Sequence, residues 1–167
     1  NGDFAFGIYD SNKKQLFIAR DRLGIKPLYY FHKDGKLVFA SEIKAILAFP
    51  VERKVNQQAL NDFIALRYIP GKQTIFKNIY RVSPGESLLF DLKTKELRKQ
   101  RYWDITLGTN ILKEQEIVQE IRNLFTDSVK KRLMSDVPLG VYLSGGIDSS
   151  AIVAAMSELR KNNEVDK

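Results

Sequence analysis

Residues 139–150 read LGVYLSGGIDSS, a short apolar run followed at once by glycines, serines and an aspartate. The apolar run, residues 139–143, has the length and continuity of a strand that is buried on both faces. After the glycines, Ile152, Val153 and Met156 recur at helical spacing. A strand, a glycine turn and a helix in this order predict the start of a parallel α/β domain.

The turn between the predicted strand and helix, residues 144–150, is named the glycine loop here. Gly145 and Gly146 allow a sharp turn and let an anion approach backbone N–H groups, and the next helix directs the positive end of its dipole to the same place. Asp148 would repel a phosphate unless a cation such as Mg²⁺ lay between them. The loop lacks the lysine of a Walker A motif and the spacing of a dinucleotide fingerprint. For SGG alone, an ordinary strand-to-helix turn is the alternative.

The first hundred residues show the period-two alternation of strands. Asp34-Gly35 is a strong hairpin signal, and Ser41 and Asn56 are the predicted N-caps of two helices. We predict antiparallel hairpins, with the first four strands in one meander. The predicted strands cover residues 3–9, 15–20, 27–31, 37–40, 86–92 and 97–102.

Beyond Trp103 the pattern changes from strands to helices. Residues 104–110 are largely polar and contain one glycine, as in a linker between domains. From Lys113 to Leu133, apolar residues recur at helical spacing and predict a long amphipathic helix, which Pro138 follows.

The composition excludes several kinds of site within these 167 residues. No cysteine is present, which excludes disulfides, thiolate metal sites and a cysteine nucleophile. His32 is the single histidine, which excludes a metal site with two histidine ligands. The net charge is +7, but the densest basic stretches, 93–101 and 130–132, lack the interleaved aromatic residues of a single-strand binder. We therefore expect no nucleic acid as a partner. No apolar run is long enough to cross a bilayer, so we expect no membrane as a partner either.

Several segments resemble one enzyme family. The SGGxDSS pattern of the glycine loop resembles the signature of ATP pyrophosphatases, which cleave ATP between its α- and β-phosphates. The string at 128–150, SVKKRLMSDVPLGVYLSGGIDSS, is similar to glutamine-hydrolysing asparagine synthetases. Four upstream blocks resemble the second half of that family's glutaminase domain: residues 2–10 (GDFAFGIYD), 20–30 (RDRLGIKPLYY), 39–47 (FASEIKAIL) and 82–85 (VSPG).

The resemblance implies a fold of the α/β and α+β classes in two parts. Residues 1–104 would be part of an N-terminal-nucleophile-type antiparallel β-sandwich, the class II glutamine amidotransferase domain. Residues 105–112 would be a linker, and residues 113–167 the first helix, strand and helix of a parallel ATP-pyrophosphatase domain. The family's N-terminal cysteine and its later synthetase elements are not in this sequence. We therefore expect an internal fragment that is inactive alone.

The resemblance also implies a reaction, namely an ATP-dependent carbon–nitrogen ligation in asparagine biosynthesis. Glutamine supplies ammonia, ATP adenylates the side-chain carboxylate of aspartate with release of pyrophosphate, and ammonia displaces AMP. Asp148 is expected to position Mg²⁺. A cytoplasmic location and a homodimer of the full-length protein are implied as well. The residues expected to bind ATP and its pyrophosphate portion are Leu143, Ser144, Gly145, Gly146, Ile147, Ser149 and Ser150.

Two alternatives stay open from the sequence. One is a related class II amidotransferase that acts on another acid, as a β-lactam synthetase does, because the acid-binding residues would lie beyond Lys167. The other is a binding module that kept the fold and lost catalysis.

Arg20, Asp21 and Arg22 could reach an active site, but we expect them to pair locally or to be solvated. His32 is expected to be exposed.

Overall fold

The computed structural model describes residues 2–108 and 112–162. Residue 1, the central part of the predicted linker (residues 109–111) and the end of the predicted second domain (residues 163–167) lie outside the described residues. The chain divides into two compact units, Asn1–Thr106 and Leu107–Lys167. Each unit has its own cluster of buried apolar side chains.

The first unit contains seven strands in two antiparallel sheets. One sheet has the order β1-β2-β6-β7 and the other has the order β4-β3-β5. The strands are β1 (Ala5–Asp10), β2 (Gln15–Arg20), β3 (Tyr29–Lys33), β4 (Lys36–Ala40), β5 (Ile79–Arg81), β6 (Glu86–Asp91) and β7 (Leu97–Arg101).

This arrangement confirms the predicted hairpins but not the predicted meander. β1 pairs with β2, β3 with β4, and β6 with β7. However, β3 and β4 belong to the second sheet, so the chain crosses from one sheet to the other after β2. On its other side β2 pairs with β6, and Ile18 lies opposite Leu88. These segments are about seventy residues apart, so no local sequence pattern predicts their pairing.

The two sheets pack face to face and enclose the main core. Ile18 and Leu88 from the first sheet meet Tyr30 from the second, and all three are fully or almost fully buried. The alternation of strands accounts for this, because every second residue faces the partner sheet. The sheets also come close at Gly7, where an added Cβ would lie 2.8 Å from the ring of Phe39. The first unit is therefore the antiparallel β-sandwich that the resemblance implied.

Two short helices lie in the same unit, α1 (Ile43–Ile46) and α2 (Gln57–Leu66). Asn56 is the N-cap of α2, and its side-chain oxygen accepts a hydrogen bond from the N–H of Ala59, as predicted. The predicted cap of α1 is wrong, because Glu42 and not Ser41 occupies the N-cap position and no side chain caps this helix.

The described residues of the second unit form two helices, α3 (Glu114–Arg132) and α4 (Ile147–Lys161). They pack through Val129 of α3 and through Ala155 and Leu159 of α4. The predicted helices are thus confirmed, but the predicted strand at residues 139–143 is not formed. A parallel strand exists only when it is hydrogen-bonded to a neighbour, and the described part of this unit contains no other strand.

None of the helices within residues 2–108 and 112–162 is long and apolar enough to span a membrane. The mixed α and β content, with the antiparallel sandwich first and the helical segment after it, confirms the predicted fold class.

Candidate functional site

The glycine loop joins residues 139–143 to α4 and takes its shape from its two glycines. Gly145 has φ +82°, a left-handed conformation that a side chain would strain, and no other group lies within 4 Å of the place where its Cβ would be. Gly146 has φ −78° and ψ 159° and is the N-cap residue of α4. Gly145 therefore makes the turn and Gly146 starts the helix.

Two serine hydroxyls hold the loop together. The Oγ of Ser149 donates a hydrogen bond to the carbonyl oxygen of Gly146 at 3.0 Å and lies 3.0 Å from the Oγ of Ser144. The N–H of Gly146 donates to the Oγ of Ser144 at 3.4 Å. The structure thus brings Ser144 and Ser149 together, a contact that the sequence did not predict.

The N-terminus of α4 carries donors that the helix itself does not use. No side chain caps it. The first intrahelical bond runs from the N–H of Ser150 to the carbonyl of Gly146 at 3.1 Å. The preceding N–H groups, at residues 147–149, have no carbonyl acceptor inside the helix, which is the geometry that attracts anions.

Four other predicted residues of the site are open to solvent. Asp148 and Ser150 are exposed on the first turn of α4. Leu143 is 60% exposed and Ile147 is 89% exposed, so neither apolar side chain packs in a core. The arrangement offers backbone donors, one free hydroxyl and one carboxylate to a ligand that approaches the helix end.

The residues of the glycine loop could bind a cation together with a bound ligand. They do not form a metal site by themselves. In the described part of the chain, no group of three or more His, Cys, Asp or Glu residues is placed to hold a metal ion. Asp148 alone supplies a carboxylate at the loop. One carboxylate with phosphate oxygens and water is a usual environment for Mg²⁺.

A cavity in the second unit lies apart from the glycine loop. It is open to solvent, has a volume of about 450 Å³ between α3, residues 139–141 and α4, and is lined mainly by apolar side chains such as Phe125, Leu139 and Met156. None of the residues 143–150 lines it. It therefore does not belong to the anion-binding arrangement.

Arg20 and Asp21, at the end of β2, have a structural role. Arg20 is buried, and its guanidinium donates to the carbonyl oxygens of Lys26, Val82 and Gly24 at 2.6 to 2.7 Å. Asp21 is also buried, and its carboxylate accepts the N–H groups of residues 25 and 26. The local role that we expected is confirmed, but neither of these two side chains is solvated.

The prediction that His32 is exposed is wrong. Its Nε2 is buried, with no hydrogen-bond partner among the described residues, and its ring meets the ring of Phe90 edge-on at 5.7 Å. Its position in β3, facing the other sheet, explains the burial.

Comparisons with known proteins match both halves of the chain. Residues 1–103 match the family described as "Glutamine amidotransferase domain", and residues 120–165 match the family described as "Asparagine synthase". The glycine loop falls within the second match.

Relatives with known names share most of the chain. A putative glutamine-hydrolysing asparagine synthetase 2 of Methanocaldococcus jannaschii is 40% identical over 95% of this chain and 31% of its own length. The glutamine-hydrolysing asparagine synthetase 3 of Bacillus subtilis is 41% identical over 92% of this chain and 25% of its own. The amidase chyE of Penicillium rubens is 40% identical over 96% of this chain and 24% of its own.

The chain therefore spans between 24% and 31% of the length of these relatives. The amidotransferase match covers more than half of the chain, and the asparagine synthase match follows it along the sequence. The chain belongs to the family of glutamine amidotransferase domains, and its second part is similar to asparagine synthases.

Proposed function

We propose that the glycine loop binds the pyrophosphate portion of ATP in an amide-forming ligase. The observation that carries the proposal is the uncapped N-terminus of α4 directly after Gly145 and Gly146, inside the segment similar to asparagine synthases. Backbone N–H groups of residues 147–149 and the free hydroxyl of the loop would donate to phosphate oxygens. Leu143 and Ile147 would border the nucleotide.

Asp148 is the residue that we propose for Mg²⁺. A carboxylate on the first turn of a helix repels a polyphosphate that binds the same turn, and a divalent cation between the two removes that repulsion. When bound, the ion would neutralise charge on the leaving pyrophosphate. Asp148 would hold it from the protein side.

In the complete protein, the proposed reaction joins two half-reactions. Glutamine is hydrolysed to ammonia in a domain that includes residues 1–104. The synthetase domain, which includes residues 113–167 after a linker at 105–112, uses ATP to adenylate the side-chain carboxylate of aspartate. A free carboxylate is a poor electrophile, and adenylation supplies AMP as a leaving group that ammonia displaces. A homodimer and a cytoplasmic location remain predictions from the resemblance.

The proposal is tested by the Asp148→Ala variant of the complete protein. We expect release of pyrophosphate from ATP in the presence of aspartate to be abolished, while glutamine hydrolysis continues. Ser157→Ala, an exposed change two turns further along α4, is the matched control and should release pyrophosphate at the normal rate. Normal pyrophosphate release by Asp148→Ala would show that this carboxylate has no role in the site.

A second candidate function is the same chemistry on a different acid. Its support is the 40% identity to the amidase chyE and to the amidase chry2 of Gibberella zeae, each over 96% of this chain. Pyrophosphate release assayed with aspartate and with other carboxylic acids separates the candidates. Aspartate as the sole acid that stimulates release would support the asparagine-forming reaction, and stimulation by another acid alone would support the second candidate.

A further inference from the structure

We propose that the lysine-rich end of the β-sandwich unit binds an acidic segment of a partner protein. This end consists of the turns of the three hairpins, at residues 11–14, 33–36 and 92–96, and is named the turn surface here. It includes the start of the basic stretch 93–101, for which the proposed reaction has no use. None of these residues belongs to the glycine loop, so the inference is independent of the proposed function.

The three turns meet at one end of the two sheets. The N–H of Leu92 donates to the carbonyl oxygen of Lys14 at 2.9 Å, which joins the turn after β6 to the turn after β1. A Cβ added to Gly35 would lie 3.2 Å from the Cγ of Lys95, so the side chain of Lys95 lies against the turn after β3. The turn after β6 therefore contacts both of the others.

Each turn contributes two exposed lysines to this surface. Within residues 2–108 and 112–162, none of the six ammonium groups forms an ion pair. The six lysines are Lys13, Lys14, Lys33, Lys36, Lys93 and Lys95.

The backbone of the turns does not account for lysine at two of these positions. Lys14 has φ +56° and Lys95 has φ +63°, left-handed conformations that glycine and asparagine adopt more readily. Turn geometry alone would thus favour a different residue at both. The ammonium groups are present in spite of the backbone conformation and not because of it.

The carboxylates beside the lysines are used by the turns themselves. Asp10 accepts the N–H groups of residues 12 and 13 at 2.9 Å, and Asp91 accepts those of residues 93 and 94 at 2.8 and 3.0 Å. Glu96 pairs with Arg98 at 3.3 Å. These contacts leave the lysine ammonium groups available to an external anion.

The first unit also carries the excess positive charge of the chain. Residues 1–106 contain 19 lysines and arginines against 11 aspartates and glutamates, whereas residues 107–167 contain 8 against 9. A field of this sign attracts an acidic partner and raises the rate of its encounter with the turn surface.

The chemistry of the turn surface favours an acidic polypeptide over a polyphosphate. Backbone N–H groups of two turns are already bonded to aspartates, and residues 11–14, 33–36 and 92–96 contain no arginine, so the donors of a phosphate site are missing. The same residues contain no aromatic side chain on which a base could stack. Asp34 and Glu96 stand among the lysines and would repel a continuous row of phosphates, whereas separated carboxylates of a polypeptide can align with the ammonium groups.

Binding of the complete protein to fluorescein-labelled poly-L-glutamate, measured by fluorescence anisotropy at low ionic strength, tests the proposal. The triple variant Lys14→Gln, Lys36→Gln, Lys95→Gln removes one lysine from each turn and should raise the Kd by about tenfold, because three charges leave the contact. The matched control is Lys44→Gln, Lys54→Gln, Lys77→Gln, which removes the same charge from exposed positions outside the turns. Its Kd should change by less than about twofold.

A second triple variant, Lys13→Gln, Lys33→Gln, Lys93→Gln, leaves the two left-handed positions unchanged and should weaken binding to the same extent. Its melting temperature should equal that of the wild type, so that a loss of affinity is not a loss of folding. Equal losses in this variant and in the control would show that the peptide responds only to net charge, and the proposal would be wrong. Tighter binding of a single-stranded DNA oligonucleotide than of poly-L-glutamate, or no binding of the peptide by the wild type, would also overturn it.

Discussion

At the residue scale, the buried carboxylate of Asp21 stabilises the segment that follows β2. Desolvation acts to raise the pKa of Asp21, but hydrogen bonds from the backbone N–H groups of Lys26 and Ile25 outweigh it and hold the pKa below its usual value. These bonds, together with the three carbonyls bound by Arg20, hold the segment that carries the chain from one sheet to the other. Asp21 therefore stabilises the crossover between the sheets.

We expect Asp21→Asn to lower the free energy of unfolding by about 1–3 kcal/mol at pH 7, because an amide cannot accept both N–H groups. A carboxylate with a lowered pKa stabilises the folded state above the pKa of the unfolded chain, about 3.9, and loses this effect as pH falls through the folded pKa. The difference between wild type and variant should therefore narrow below about pH 4. Urea unfolding at several pH values measures it.

Glu52→Gln is a suitable control for this series, because Glu52 is exposed and its ion pair with Lys54 is long at 3.8 Å. Its effect should stay within about 0.5 kcal/mol. A difference between wild type and Asp21→Asn that stays constant from pH 7 to pH 3 would contradict the role given to the ionised carboxylate.

Gly85 permits a comparison of two glycines with the same backbone conformation. Gly85 and Gly71 have φ +65° and +66°, but a Cβ on Gly85 would lie 2.4 Å from the carbonyl oxygen of Trp103, whereas nothing lies within 4 Å of a Cβ on Gly71. Gly71→Ala should lower the free energy of unfolding by about 1 kcal/mol, because of the backbone conformation alone. Gly85→Ala should lower it by at least about 2 kcal/mol more, because of the contact with Trp103. Equal losses in thermal unfolding would show that the close approach is not needed.

At the element scale, the two short helices differ in their caps. Asn56 caps α2 through the N–H of Ala59, whereas Ser41 makes no cap for α1. Asn56→Ala should therefore lower stability by about 1 kcal/mol, and Ser41→Ala should have an effect below about 0.5 kcal/mol, in the same unfolding assay. A larger loss for Ser41→Ala than for Asn56→Ala would mean that the assignment of the caps is wrong.

Elements with a strong local signal could be predicted from the sequence. β2 begins and ends where the alternation of Gln15–Arg20 predicts, and Asn56 marks the start of α2. β5 was missed because a strand of three residues contains less than two periods of alternation. The sequence pattern predicts a helix from about Ser149, whereas α4 begins at Ile147, because Gly146 is its N-cap.

Features that depend on distant partners could not be predicted. The pairing of β2 with β6, which splits the expected meander, joins segments with about seventy residues between them. Residues 139–143 have the composition of a strand, but a strand also requires a hydrogen-bonded neighbour. In the candidate site the sequence supplied the residue types of the glycine loop, whereas the contact between Ser144 and Ser149 follows from its three-dimensional turn.

At the scale of the whole molecule, the chain matches parts of two domain families, one after the other. The β-sandwich unit matches a glutamine amidotransferase domain over residues 1–103, and the helical unit contains the glycine loop within an asparagine synthase match over residues 120–165. This order agrees with an enzyme that makes ammonia in one domain and activates a carboxylate in another. We propose that the second domain of the complete protein cleaves ATP between its α- and β-phosphates.

The most direct test of this claim follows an oxygen atom in the reaction of the complete protein. Aspartate labelled with ¹⁸O in its side-chain carboxylate is incubated with ATP and glutamine, and the nucleotide products are examined by mass spectrometry. Attack of the carboxylate on the α-phosphorus, followed by displacement by ammonia, predicts one ¹⁸O atom in AMP and none in pyrophosphate. Formation of ADP with ¹⁸O in inorganic phosphate would show that ATP is not cleaved between its α- and β-phosphates.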